Sequence, residues 1–131
     1  MKAYWDSSAL VLATADIELR RRLHQERGIT RTHALGEVFS TLTGGNLALR
    51  MEADTAAQTV QNLAQDLDFT DLEPREVLAA LKQARRRGVR GGRVHDFLHA
   101  AAAEKAKIQE LLTTDEHDFN GLTDSVKVQL V

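Results

Sequence analysis

The sequence predicts an α/β fold in which helices connect the strands of a parallel sheet. Short apolar segments alternate along the chain with longer segments of helical periodicity, and Pro74 is the only proline. Strands separated by helices are typical of crossover units, which set successive strands in parallel. The chain has 131 residues, 43% of them hydrophobic and 27% charged. This size and composition predict a single globular domain over residues 1–131.

Five short segments are predicted to be strands. The last of them alternates apolar and polar side chains with the period of two expected of a half-buried strand, whereas the second is only weakly marked. The segments are residues 2–5, 28–31, 67–72, 108–114 and 126–131.

Four segments are predicted to be helices from apolar residues at i, i+3 and i+4 or from alanine content. The first covers residues 35–42 and is expected to stop at Gly44 and Gly45, and the second covers 56–67. The third opens at Pro74, which a first helical turn tolerates, and ends at Gly88. The fourth covers residues 95–105. The stripe that the third helix is predicted to bury is Val77, Leu78, Leu81 and Ala84.

Composition excludes several classes of protein. The absence of cysteine excludes disulfide scaffolds, thiol catalysis and Cys-ligated zinc. No apolar stretch approaches the roughly 20 residues of a membrane span. Asp6 lies where a signal peptide would have its apolar run. We therefore expect a cytoplasmic protein without a membrane partner. The net charge of −2 gives no sign of a nucleic-acid partner by itself.

Acidic residues gather at the edge where ligands of a parallel sheet bind. Asp6 follows the first predicted strand and Asp115 the fourth, while Glu37 and Asp96 lie early in helices that begin at the same edge. Each has a structural explanation when taken alone. Asp6 fits an N-cap, Asp115 a turn, Glu37 a solvated helix face and Asp96 a favourable first-turn charge.

Convergence of these carboxylates favours a metal site over separate structural roles. Carboxylates that share a site repel one another unless a cation is present, and oxygen ligands suit Mg²⁺ or Mn²⁺ rather than zinc. Such ions activate water and stabilise both oxygens of a phosphoryl displacement. His95 and His99 have the i, i+4 spacing of a metal pair but lack the glutamate of a zinc protease between them, so we favour the carboxylate site.

Four blocks of the sequence, in this order, resemble the PIN domain family and, within it, the VapC-type toxin endoribonucleases. The resemblance spans nearly the whole chain, and its last block is the most specific. His95 departs from the family's pattern, which often has a hydrophobic or small residue there; we expect a surface residue, with a phosphate contact as the alternative. The blocks are Asp6-Ser7-Ser8-Ala9-Leu10, Ala34-Leu35-Gly36-Glu37-Val38, His95-Asp96-Phe97-Leu98-His99 with the alanines behind it, and Leu111-Leu112-Thr113-Thr114-Asp115-Glu116-His117-Asp118-Phe119.

The resemblance implies a three-layer α/β/α fold with a central parallel sheet of four or five short strands. It implies a Mg²⁺- or Mn²⁺-dependent endoribonuclease that cleaves single-stranded or structured RNA with a metal-activated water. It also implies a homodimer and, for the toxin of a toxin–antitoxin pair, a cognate antitoxin partner.

The resemblance also assigns residues. The catalytic acids that it implies are Asp6, Glu37, Asp96 and Asp115; the metal ligands are Asp6, Asp96, Asp115 and the more variable Asp118; the supporting hydroxyl residues are Ser8 and Thr114.

A basic segment, residues 82–93, is the expected site of RNA contact. It holds six basic residues and no acid, and without it 11 basic residues would face 19 acidic ones. Arginine binds phosphate through two parallel hydrogen bonds, and the segment directly precedes the helix of Asp96. We assign Arg90, Arg93 and Arg87 to RNA binding; for Arg87 a favourable charge at a helix C-terminus is the alternative.

Two other functions stay open at this point. One is a non-catalytic PIN-like module that binds RNA or protein, against which the presence of all four acids argues. The other is a housekeeping RNA-processing nuclease, because a fold does not determine toxicity.

Overall fold

A five-stranded parallel sheet forms the centre of the computed structural model, which describes residues 2–44 and 50–131. The strand order is β3-β2-β1-β4-β5, and all four neighbouring pairs are parallel. The predicted parallel α/β fold is confirmed, and each of the five predicted segments contributes a strand. The strands are β1 (Ala3–Trp5), β2 (Gly28–Thr30), β3 (Leu67–Phe69), β4 (Glu110–Thr113) and β5 (Lys127–Leu130).

Helices cover both faces of the sheet and complete the three layers. Helices α1 to α4 pack with one hydrophobic cluster, and α5 to α7 with a second cluster on the other face. The seven α-helices of the described residues are α1 (Ser7–Ala13), α2 (Ile17–Glu26), α3 (His33–Gly44), α4 (Ala53–Ala64), α5 (Pro74–Lys82), α6 (Ala84–Arg87) and α7 (Val94–Lys105). Helix α3 is described as far as Gly44, and Gly45, the second residue of the predicted stop, lies outside the described residues.

The two central strands β1 and β4 pair in parallel and are buried on both faces of the sheet. In β1, Trp5 packs into the first cluster and Tyr4 into the second. In β4, Leu112 and Leu111 divide in the same way. Two-sided burial is the usual environment of a parallel sheet. Because β1 and β4 are adjacent and parallel, the polar residues that follow them lie at one common edge.

Two helices were not recognised in the sequence. Helix α1 has only seven residues, and α2 is polar apart from Leu19 and Leu23, which bury its inner face. Each begins with an aspartate whose side chain accepts a backbone N–H: Asp6 from Ala9 and Asp16 from Leu19. These two N-caps are the sequence signals that mark both helices.

The prediction for the third helix is wrong in two respects. The helical segment is interrupted at Gln83, so α5 ends at Lys82 and α6 begins at Ala84. Leu78 and Leu81 are exposed, at 60% and 43% of their surface. The reason is that Ala80 and Ala84 face the second cluster, so the leucines lie on the side of α5 turned away from it.

A side chain at position 28, at the start of β2, is predicted to destabilise the fold. A Cβ atom added there would lie 2.6 Å from Trp5 Cδ1 and 2.9 Å from Leu23 Cδ1. Gly28→Ala is therefore expected to lower the free energy of unfolding by about 1–3 kcal/mol through overpacking. Urea unfolding monitored by Trp5 fluorescence measures this change.

Gly36→Ala is the matched control. A Cβ at Gly36 in α3 meets no heavy atom within 4 Å, so alanine there is expected to stabilise the protein by about 0.5–1 kcal/mol. If both substitutions changed the free energy of unfolding equally, the close approach of Gly28 to Trp5 would not be what makes alanine unfavourable at position 28.

Candidate active site

Asp6 lies where β1 meets α1, and only 3% of its surface is exposed. Its Oδ1 accepts hydrogen bonds from Ala9 N at 2.8 Å and from Ser8 Oγ at 2.7 Å. The first bond makes Asp6 the N-cap of α1. Capping holds the carboxylate at the carboxyl edge of the sheet, so its structural role and a role in a site are compatible.

The hydroxyl of Ser8 connects Asp6 with the end of β4. Ser8 Oγ accepts a hydrogen bond from Thr114 N at 3.0 Å and lies 3.3 Å from Thr113 Oγ1. Thr113 is 1% exposed, and its hydroxyl accepts from Asp115 N at 3.2 Å. Thr114 is exposed and contributes its backbone, so the buried hydroxyl at this place is that of Thr113. A threonine ending a strand buried on both faces is the signal that identifies it.

Glu37 is anchored from the interior by a chain of hydrogen bonds. A carboxylate only accepts, so His99 Nε2 donates to Glu37 Oε1, at 2.9 Å. His99 Nδ1 lies 2.7 Å from the hydroxyl of Tyr4, and both residues are almost fully buried. Burial raises the pKa of Tyr4, so the tyrosine keeps its proton and donates to His99. These two hydrogen bonds connect β1, α7 and α3.

The carboxylates at this edge act on one another electrostatically. Burial, and after it the charges of Asp118 and Asp6, raise the pKa of Asp96 from 3.8 to about 6. The charge of Glu37 adds to this shift, and His99 opposes it. Asp96 therefore sits in a partly desolvated, negative environment, which a divalent cation is suited to neutralise.

The pKa of Glu37 is shifted in the opposite direction. Burial raises it, but the hydrogen bond from His99 and electrostatic interactions with His99, His33 and Arg31 together bring the pKa of Glu37 below its ordinary value. Arg31 directly follows β2 and is 8% exposed, and its Nε has no hydrogen-bond partner within the described part of the chain. Sequence reasoning did not single out this buried cation beside Glu37.

Asp115 and Asp118 belong to the turn that follows β4. Asp115 Oδ1 accepts from His117 N at 3.1 Å and caps the 3₁₀ helix Glu116–Phe119. Asp118 lies within that helix and is the carboxylate with the largest effect on Asp96. Of the two predicted acids, Asp118 is the one with a described electrostatic link to Asp96.

His95 and His99 do not form the pair that their i, i+4 spacing along α7 suggests. His99 is buried against Tyr4 and Glu37, whereas His95 is exposed and stacks on His33 with ring centroids 5.8 Å apart. His33 and Glu37 are i, i+4 on α3, and His33 acts electrostatically on Glu37.

Two of the three predicted RNA-binding arginines bond to the loop after β4. Arg87 donates to Asp124 and to Gly121 O, and Arg93 donates to Asn120 O. Within residues 2–44 and 50–131 the side chain of Arg90 has no hydrogen bond or ion pair. Arg87 and Arg93 thus hold the basic segment against residues 120–124, and Arg90 is exposed.

A family model of the PIN domain matches residues 3–123. The chain belongs to the PIN domain family. PIN domains are generally metal-dependent nucleases. Nine chains of known structure match this PIN domain. They include the crystal structure of PAE2754 from Pyrobaculum aerophilum, with a TM-score of 0.71 and 16% identity over 98% of this chain and 89% of the other. At that identity the likeness is one of fold.

No curated protein matches this PIN domain. In the portion of the chain that the structure describes, none of the helices combines the length and the apolar character that crossing a membrane requires.

Asp96→Asn is expected to stabilise the PIN domain at neutral pH in the absence of divalent cations. Because the folded-state pKa of Asp96 is about 6 and its ordinary value is 3.8, ionisation of Asp96 costs stability as pH rises between these values. The variant should therefore be more stable than the wild type at pH 7, and the difference should vanish below about pH 4. Urea unfolding in EDTA across this range measures it.

Asp68→Asn serves as a control of opposite sign. Hydrogen bonds from Lys2 and Arg27 lower the pKa of Asp68, so its charge stabilises the folded protein above the ordinary pKa. This variant should be the less stable one at neutral pH, with the difference disappearing in acid. If the stability difference between Asp96→Asn and the wild type did not change with pH, the raised pKa of Asp96 would be contradicted.

Proposed function

We propose that this PIN domain is a Mg²⁺- or Mn²⁺-dependent endoribonuclease. The observation that supports it is the convergence of Asp6, Glu37, Asp96 and Asp118 at one edge of the sheet, close enough for their charges to shift the pKa of Asp96. Carboxylate oxygens are the ligands that Mg²⁺ and Mn²⁺ prefer. The donor set therefore fits the metal on which PIN domains generally depend.

Each residue of the edge has a distinct role in this proposal. Asp6, Asp96, Asp115 and Asp118 hold the metal, and Ser8 fixes the orientation of Asp6. Glu37 is held in place by His99 and completes the acidic set. When bound, the divalent cation supplies activation of water and stabilisation of charge on the scissile phosphate.

The basic segment binds the RNA backbone in this proposal. Arg90 contacts phosphate directly, while Arg87 and Arg93 also keep the segment against the loop after β4. Backbone contacts set affinity without reading sequence, so single-stranded and structured RNA are both acceptable substrates.

The finer assignments rest on the VapC resemblance of the four sequence blocks. We propose on that ground that the protein is the toxin of a toxin–antitoxin pair, forms a homodimer and is inhibited by an antitoxin. A housekeeping ribonuclease and a non-catalytic PIN-like module are the alternatives, and cleavage by the purified protein excludes the second of them.

Asp6→Asn and Asp96→Asn are each expected to reduce RNA cleavage by at least about 100-fold, because each removes a negative metal ligand. The measurement is cleavage of labelled RNA with Mg²⁺ or Mn²⁺, with EDTA as the metal-free condition. Circular dichroism establishes that the variants are folded.

Asp68→Asn is the matched control for this assay. Asp68 bonds to Lys2 and Arg27, which precede β1 and β2, so it lies at the opposite edge of the sheet. The Asp68→Asn variant should cleave RNA at the wild-type rate. Wild-type rates for Asp6→Asn or Asp96→Asn, or activity that persists in EDTA, would show that the carboxylate edge is not the active site.

Arg90→Ala is expected to weaken RNA binding and flatten its dependence on salt. Loss of one phosphate contact lowers the slope of log K against log salt concentration by about 0.7–1. Fluorescence anisotropy with the non-cleaving Asp96→Asn background measures the slope. Arg21→Ala, on the exposed face of α2, is the control and should leave the slope unchanged; an equal slope for both variants removes Arg90 from the RNA site.

A further inference from the structure

A cluster of nitrogen and oxygen ligands lies beside the carboxylate edge. His33 at the start of α3, Glu37 one turn later and His95 at the start of α7 place one ligand atom each within 4.8 Å of one another. In the described part of the chain this is the only group of three or more such residues that meets that distance. The two imidazoles are exposed, and their planes differ by 8°.

The cluster borders an open cavity of about 420 Å³. Ser7, Ser40 and Thr41 line this cavity together with the three potential ligands. An ion held by His33, Glu37 and His95 would therefore have room for water or another small ligand in its remaining position. Three protein ligands with an open fourth position is an arrangement typical of zinc sites that bind an exchangeable group.

Glu37 is already oriented for such a role. Its Oε1 accepts from His99, which is 1% exposed and bonded in turn to Tyr4, so the carboxylate is fixed by residues that solvent does not reach. Hydrogen bonds of this kind from outside the ligand set orient metal-binding carboxylates and are a regular part of metal sites.

The chemistry of the cluster differs from that of the acidic edge. Imidazole nitrogen suits Zn²⁺, Ni²⁺ and Cu²⁺, whereas Mg²⁺ is bound by oxygen ligands. Two imidazoles and one carboxylate therefore select a different class of cation from the one that Asp6, Asp96 and Asp118 attract.

We propose that His33, Glu37 and His95 form a transition-metal site, with Zn²⁺ as its ion, adjacent to the carboxylate cluster. The site binds Zn²⁺ through one nitrogen from each histidine and one oxygen of Glu37. Its existence does not depend on nuclease activity, since binding requires neither RNA nor cleavage.

Isothermal titration of the purified full chain with Zn²⁺ alone, in chelator-free buffer, tests the proposal. We expect one Zn²⁺ per chain, and a loss of affinity of about tenfold or more in each of His33→Ala and His95→Ala. Both histidines are exposed, so these variants should fold; thermal unfolding monitored by circular dichroism checks that they do.

Two other histidines supply matched controls. His24→Ala removes an exposed imidazole that bonds to Asp66, and His117→Ala removes an exposed imidazole from the turn after β4. Both variants should bind Zn²⁺ as the wild type does. Asp118→Asn should also retain Zn²⁺ binding, although it impairs the proposed magnesium site.

Three results would overturn the site. They are the absence of Zn²⁺ binding by the wild type, binding that His33→Ala and His95→Ala leave unchanged, and binding that Asp118→Asn removes while the histidine variants keep it. The last result would place the ion among the carboxylates. Because none of these measurements uses RNA, a failed ribonuclease assay and a failed zinc site are distinguishable.

Discussion

Repulsion among carboxylates is the constraint on which the organisation of this PIN domain depends. The sheet places β1 next to β4, so the residues that follow them meet at one edge, and α3 and α7 bring further acids to it. Each buried charge needs compensation. Asp6 obtains it from Ala9 N and Ser8, and Glu37 from His99 and Arg31, whereas Asp96 is left with a raised pKa.

The same residues serve both the fold and the candidate site. The bonds that cap α1 also orient Asp6, and the buried pair of Tyr4 and His99 joins β1 to α7 while holding Glu37. Rigid elements positioned by packing are the support that a metal site requires, because small displacements of ligands weaken coordination. The acidic edge is therefore built from the core outward.

The sequence predicts the residues that carry strong local patterns. Four of the five strands, the start of α5 at Pro74 and the alanine-rich α7 follow from periodicity and breaker residues, whereas β2 is only weakly marked. The position of Asp6 follows from the end of β1. Contacts between distant segments leave no such pattern. Tyr4 and His99 are 95 residues apart, and the approach of His33 to His95 depends on how α3 packs beside α7.

Side-chain direction is the other feature that local pattern does not determine. Leu78 and Leu81 have the spacing of a buried stripe, yet α5 turns Ala80 toward the core and leaves both leucines exposed. Likewise, Thr113 rather than Thr114 places its hydroxyl beside Ser8, because Thr113 is the buried last residue of β4 whereas Thr114 follows the strand and is exposed. Arg87 and Arg93 lie in the expected basic segment but bond to the neighbouring loop.

The most direct test of the carboxylate edge as a cation site is the titration of Asp96 itself. The ¹³C shift of its carboxyl carbon, followed by NMR against pH, reports its pKa with and without Mg²⁺. The account predicts a midpoint of about 6 without divalent cations and a clearly lower midpoint when Mg²⁺ is added, since a bound cation stabilises the carboxylate. A midpoint near 4 that Mg²⁺ does not change would contradict it.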